Sequence, residues 1–400
     1  MRFRVGINYW PSRTAMRWWR SFDEGEVERD FARIREAGFD SVRIFLRWED
    51  FQPAPDRVDR QLLDLLVKVA DIAMRNELSV VPTLFTGHMS GANWIPEWAL
   101  DQSDETARFR VVSGEKVVRA RPKNWYSDER ILEAQARLAR EVALALRGHA
   151  AVWAYDLGNE NSNCVVPPSR EAGVNWLKRM AAEIRSVDTK PQITIGLHTE
   201  DLEEDRLIGP REAAKVCDFL CMHGYPVYCG WAWGPTDSMA LPYLGLITRW
   251  MGGRDVLFEE FGTPTIPLAG DTAMTAAGQS AVQLLNEYEA AAFIRRALEQ
   301  LHRFGIAGGL LWCYGDYSDM LWTEPPLDEA VHERFFGLWR ADGSAKPAVA
   351  EVEKFGSRQR REPADDFDWI DVTIDEFYLN PRENLSRLYG MFRERFKEEG

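Results

Sequence analysis

Apolar, strand-like runs alternate with amphipathic, helix-like ones eight times along these 400 residues, and this alternation narrows the fold more than any other feature. Each strand–helix–strand step returns the chain across the sheet in one direction, so the strands run parallel. Eight steps are enough to close the sheet into an α/β (β/α)8 TIM barrel. The strands are read at Arg4–Tyr9, Ser41–Phe45, Ser79–Phe85, Ala151–Leu157, Gln192–Leu197, Phe219–Met222, Val256–Phe258 and Gly309–Cys313. The helices fall at Glu26–Ala37 (stopped by Gly38), Asp59–Asn76, Asp128–Arg147, Ser169–Val187, Arg211–Lys215, Tyr243–Met251, Ala277–Phe304 and Pro347–Phe355.

Three long segments interrupt the repeat: Thr86–Ser127, His223–Leu241 and Tyr314–Ala345. They follow strands three, six and eight, so all three lie on the face where barrels build their sites. Loops of that length usually carry function. A charged, Pro-containing break at Arg358–Asp366 divides the (β/α)8 barrel over residues 1–357 from a C-terminal extension over 358–400. In the extension, Trp369–Phe377 reads as a short strand or turn and Pro381–Phe396 as a helix. Tyr378, Leu385, Leu388, Tyr389, Met391 and Phe392 form an apolar set that needs a partner, either the barrel or a second subunit of a homo-oligomer.

Composition removes several function classes. A net charge of −14 disfavours nucleic acid as a partner, and no apolar stretch is long enough to cross a membrane. Five Cys without a Cys-x-x-Cys pair, and no His/Cys cluster at ligand spacing, lead us to expect buried, reduced thiols and no metal. The first strand starts near Phe3, which leaves no room for an export signal, so a cytoplasmic protein is expected. Sixteen Trp are many for this length, and about half are expected at or near a binding site.

The chemistry is carried by two runs, Tyr155–Asn161 and Val256–Gly262, each a strand that stops on a glutamate. In a parallel barrel Glu160 and Glu260 then face the same mouth. Two carboxyls on either side of one bond are the equipment for glycoside hydrolysis, which needs no cofactor. Glu259 complicates the assignment, because adjacent strand residues point to opposite sides. If Glu260 faces the mouth, Glu259 must find a partner between strand and helices or lie at the rim.

The strand ends Val42-Arg43-Ile44, Gly158-Asn159-Glu160, His223-Gly224-Tyr225, Glu260-Phe261-Gly262 and Trp312, in that order, resemble glycoside hydrolase family 5 over roughly residues 3–356. Gly6–Trp10, Trp48–Pro53 and Gly87–Gly91 look most like its β-mannosidase and mannanase side. The resemblance implies Glu160 as acid/base and Glu260 as nucleophile of a retaining enzyme. It also implies Asn159 on the sugar 2-hydroxyl, Arg43 holding the nucleophile, His223 orienting the acid/base, Tyr225 donating to the nucleophile, and Trp312 as platform for the reactive sugar. An ionised Glu260 should raise the pKa of Glu160.

His88 is a candidate sugar ligand, Trp94, Trp231 and Trp233, with Asn93, are candidate mouth residues, and His198 is a weaker one; His149, His302 and His332 read as structural. The expected activity is exo-cleavage of β-mannosidic bonds in short β-linked oligosaccharides. The rivals are an endo-β-1,4-mannanase, a β-glucosidase or cellulase-like enzyme, and a barrel that only binds carbohydrate.

Overall fold

The computed structural model describes residues 2–267 and 280–397. Eight parallel strands follow one another around a barrel: β1 (Arg4–Tyr9), β2 (Ser41–Arg47), β3 (Ser79–Thr86), β4 (Ala154–Asn159), β5 (Gln192–Gly196), β6 (Leu220–His223), β7 (Val256–Phe261) and β8 (Gly308–Leu311). The ladder order is β5-β4-β3-β2-β1-β8-β7-β6, every pair parallel. The ends are joined by the Asp218 N–H to Ile193 O bond (2.8 Å) and the His223 N–H to Leu197 O bond (2.7 Å), so the barrel closes. Val81, Ala154, Cys221, Leu257 and Leu310 fill its interior with a cluster separate from the main core.

The helices are α1 (Glu24–Glu36), α2 (Arg60–Arg75), α3 (Glu129–Ala145), α4 (Arg170–Arg185), α5 (Pro210–Ala213), α6 (Ala240–Gly252), α7 (Glu287–Arg303) and α8 (Pro347–Phe355). Side chains cap their orphan N–H groups: Asp23 at α1, Asp59 at α2, Asp128 at α3 and Ser169 at α4. Each cap lies just outside the helix it starts, which is why several expected boundaries move by a residue or two. The expected helix at Ala277–Phe304 is shorter. Asn286 and Glu289 form a capping box that starts α7 at Glu287, and the first residues of the expected range lie outside the described residues.

The segment after β3 has structure of its own. His88–Met89, Ala92–Trp94, Arg110–Ser113 and Lys116–Val118 make a four-stranded sheet over one side of the barrel mouth, with Leu100–Asp101 and Arg121–Pro122 paired beside it.

The C-terminal extension packs on its own barrel. Its last helix, α9 (Pro381–Arg395), buries Leu385, Leu388, Tyr389 and Phe392, and the Tyr243 hydroxyl of α6 donates to Leu385 O at 2.6 Å. This explains why α6 is buried nearly all round, against the barrel on one side and α9 on the other. Trp369–Phe377 is not a strand: Thr373 and Glu376 form a capping box over a single helical turn, Ile374–Phe377. Leu388 is fully buried in this joint. Leu388→Ala is expected to lower stability by about 2–5 kcal/mol in a single cooperative transition. An early, separate unfolding step in denaturant would show instead that the extension is not part of the barrel's core.

Candidate active site

Arg43 is the hub of the site. It rises from β2 into the barrel with no solvent exposure, so its five N–H groups must all find acceptors. Nε donates to Thr83 Oγ1 (2.9 Å) and Asp156 Oδ2 (3.1 Å). Nη2 donates to Asp156 Oδ2 (2.6 Å) and Asn159 Oδ1 (2.8 Å), and Nη1 to Asn8 Oδ1 (3.2 Å) and Glu260 Oε1. Gly196 on β5 makes room for this: a Cβ there would come within 3.1 Å of Arg43 Nη2 and 3.0 Å of His223 Cε1.

Glu260 is held from three sides. Beyond Arg43, the Tyr225 hydroxyl donates to its Oε2 at 2.9 Å and His223 Nδ1 lies 3.6 Å away. Glu160 follows β4 in a left-handed conformation, φ 48° and ψ 45°. For a non-glycine residue this costs of the order of 1–3 kcal/mol, a strain that sites commonly hold. Its Oε1 meets His223 Nδ1 at 3.1 Å and its Oε2 accepts from Asn163 Nδ2 at 3.2 Å. One oxygen of Glu160, one of Glu260 and a nitrogen of His223 lie within 4.8 Å of one another. Those three offer the donor atoms a cation would need, but their hydrogen bonds to Arg43, Tyr225 and Asn163 already occupy much of that capacity.

Glu259 corrects the expectation that it would leave the site. The β6–β7 register slips by one residue, with Met222 opposite Phe258 but His223 opposite Glu260. Such a bulge re-aims neighbouring side chains. Glu259 is therefore fully buried inside the barrel, 3.5 Å from Arg43 Nε and 3.3 Å from His223 Nε2. Register slips also occur near the ends of β2 and β4, beside Arg47 and Asn159.

Four carboxyls, Glu160, Glu259, Glu260 and Asp156, thus surround two cations, Arg43 and His223. Burial alone would push the His223 imidazole down, but Glu260, with the hydrogen bonds to Glu160 and Glu259, raises its pKa to about 10. Burial raises Glu260 and Asp156. Glu160 moves the other way from the sequence expectation. Burial pushes it up, yet His198, the His223 hydrogen bond and His88 outweigh that and hold it below the usual carboxylate range. Sequence reasoning took Glu260 as the group that sets its pKa and His223 only as the group that orients it. The proton of the Glu160–His223 pair therefore rests on the imidazole, one hydrogen bond from Glu160.

These groups open into a cavity of about 290 Å³ that also brings in His88, Asn159 and Trp312. Asn159 donates to His88 O at 2.6 Å, and His88 Nδ1 pairs with Asn93 Oδ1 at 2.8 Å. His198, 3.9 Å from Glu160 Oε2, and His332, read from sequence as structural, both line the cavity.

Three expected mouth residues lie elsewhere. Trp94 is buried beneath the small sheet, its Nε1 3.4 Å from Met89 O. Trp231 turns toward the extension, packing on Tyr243 and Tyr389. Trp233 is exposed, with the Arg393 guanidinium 4.1 Å from its ring centre. Of the sixteen Trp, only Trp312 lines the cavity, and most of the rest are core.

Sequence reasoning also missed Glu333, a buried carboxylate in the loop after β8. It accepts from Ser90 Oγ (3.0 Å) and Trp312 Nε1 (3.4 Å), and burial raises its pKa. Nothing in the sequence around it marks the position. It reaches the cavity because the loop folds back over β8. Glu200, Glu203 and Tyr228 line the wall formed by the loops after β5 and β6.

Comparison with known proteins agrees with this architecture. The glycoside hydrolase 42 β-galactosidase family model matches residues 17–193. Mannan endo-1,4-β-mannosidase 3 of Solanum lycopersicum is 22% identical over 151 residues, covering 33% of this chain and 37% of that protein. The exo-β-1,4-mannosidase Op5Man5 from Opitutaceae bacterium strain TAV5 is similar in structure with a TM-score of 0.70 at 26% identity, over 88% of this chain and 58% of that one. A GH5_18 glutamate-to-alanine variant from Bifidobacterium longum subsp. longum, solved with Manβ1-4GlcNAc, gives a TM-score of 0.78 at 18% identity, over 98% and 89% of the two chains. The chain thus spans about a third of the tomato mannanase and somewhat over half of the Opitutaceae mannosidase. The fold is that of the glycoside hydrolase TIM barrels.

Proposed function

We propose that this chain is a retaining β-glycosidase that removes mannose from the non-reducing ends of short β-mannosides. The observation that carries this reading is the pair of carboxyls, with oxygens of Glu160 and Glu260 within 4.8 Å of each other. Retaining enzymes hold their two carboxyl groups about 5–5.5 Å apart, whereas inverting ones need about 6.5–9.5 Å to admit a water.

Each step follows from the contacts. Glu260, oriented by Arg43 and the Tyr225 hydroxyl, attacks the anomeric carbon. Glu160 passes a proton to the leaving oxygen, drawing it from His223 across 3.1 Å. Glu160, again a carboxylate, takes a proton from the water that hydrolyses the glycosyl-enzyme and returns it to His223 across the same hydrogen bond. Tyr225, whose pKa burial raises, stays protonated and can keep donating. Because the raised pKa of His223 holds the shared proton up to about pH 10, His223→Asn is expected to draw the alkaline fall of kcat/KM to lower pH. An unmoved alkaline limb would place that proton on another group.

The mannoside reading draws on the mannosidase and mannanase relatives, and exo action on the exo-mannosidase among them, with Trp312, Glu333 and His332 lining the cavity. A panel of aryl β-mannoside, β-glucoside and β-galactoside, with Manβ1-4GlcNAc and mannohexaose, tests it. Fastest turnover of the mannoside, with mannose the first product from mannohexaose, supports the reading. Early mannobiose and mannotriose would instead assign an endo-mannanase, and fastest turnover of another aryl glycoside would assign that sugar.

A further inference from the structure

Beside the catalytic cavity lies a second depression of about 340 Å³ that the barrel does not build alone. Glu203, Tyr228, Gly230 and Trp231 come from the loops after β5 and β6, and Arg382 and Ser386 from α9 of the C-terminal extension. Glu203 and Tyr228 line both spaces, so the two share a wall.

The side on which they meet can be read from the chemistry. A general acid must stand at the oxygen that leaves. Glu160 is flanked by His198, at 3.9 Å, and His198 begins the loop that carries Glu200 and Glu203. Trp312, the platform for the sugar to be released, is held through its Nε1 by Glu333, and Tyr228 bridges the two parts of the cavity, bonded to Glu333 and packed on His332. Glu203, on the loop beside the acid, therefore places its end of the shared wall with the leaving group.

The chemistry of the depression suits a sugar. Tyr228 is about half exposed and, with Trp231, offers apolar faces for C–H edges. Glu203 accepts, Arg382 donates, and Ser386 does either. The wall is also held in place. Trp231 Nε1 donates to Glu203 Oε1 at 2.9 Å, and Arg382 Nη2 to Glu204 Oε1 at 2.7 Å. The α9 helix is anchored by the Tyr389 hydroxyl (2.5 Å) and Arg393 (2.8 Å), both donating to Asp237.

We infer that the C-terminal extension completes a binding subsite for the second sugar of the leaving group, a neutral hexose one unit beyond the sugar that accepts the proton. The inference rests on the glycosidase reading, and it gives residues 358–400 a part in substrate choice. An enzyme so built prefers a trisaccharide to a disaccharide, because only the longer substrate reaches α9.

The test compares kcat/KM for mannotriose and mannobiose in the full chain and in two variants, Arg382→Ala and Ser386→Phe. The first removes a donor and the second fills the space. Both positions are exposed, outside the buried set of α9. One hydrogen-bonded sugar is expected to favour mannotriose by about three- to tenfold in the unaltered chain, and each variant should bring that ratio toward one. An aryl β-mannoside, which has no second leaving sugar, is the reference for each protein. A ratio of one in the unaltered chain, a ratio unmoved by both variants, or an equal fall on all three substrates would overturn the subsite. If the unaltered chain cleaves no β-mannoside, the mannoside reading fails separately, and the same length ratio is then measured in the series it does cleave.

Discussion

Glu260→Ala is expected to lower kcat/KM on aryl β-mannosides by more than about 10⁴-fold, the scale of losing a nucleophile. The side chain removed is the one gripped by both Arg43 and Tyr225, and no neighbour can replace it. Glu259 is the nearest carboxylate in sequence, but it lies fully buried against Arg43 and His223 and does not line the cavity. Truncation leaves a space that a small anion can enter, so azide or formate should restore turnover from the same face, giving a product of inverted configuration. Circular dichroism should show the fold intact. Activity within tenfold of the unaltered chain would remove Glu260 from the reaction.

Glu160→Ala should separate substrates by their leaving groups. A disaccharide needs a proton on its departing oxygen, and a loss of about 10²–10⁴-fold is expected. Dinitrophenyl mannoside needs no such help, so its first step should survive while the glycosyl-enzyme accumulates for want of a base. Kinetics should then show a burst followed by a slow phase, and azide should speed the slow phase with retention. Equal losses on both substrates would mean that Glu160 supports the site without handling the proton.

Much of this arrangement is visible in the sequence because strand ends are marked by their residues. Strand ends place Glu160 and Glu260 at one mouth, the family resemblance adds Arg43, Asn159 and His223, and the structure brings all five together around the Arg43 guanidinium and the His223 ring. Where strict alternation breaks, the reading breaks too. The slip in β7 turns Glu259 inward, and no local pattern announces a bulge, because it depends on how two strands register.

Electrostatics fails for a related reason. Glu160 answers to three histidines, on β6 and in the loops after β3 and β5, and their convergence is set by the barrel's closure. The aromatic residues mislead most. A Trp serves a core as well as a sugar, and Trp94 and Trp231 differ from Trp312 only in what the tertiary structure sets beside them. Glu333 shows the opposite case, an unmarked loop residue that becomes part of the cavity wall when its loop folds back.

The account's central claim is that Glu260 forms a covalent bond to the sugar while Glu160 handles protons. Incubation with a 2-deoxy-2-fluoro-β-mannosyl fluoride, whose fluorine slows release of the intermediate, tests it most directly when followed by peptide mass mapping. The account predicts one added 2-fluoromannosyl group, carried by Glu260 in the Val256–Gly262 peptide and absent from Glu260→Ala. A label on Glu259 or Glu160, or turnover of the reagent with inverted product and no labelled peptide, would contradict it.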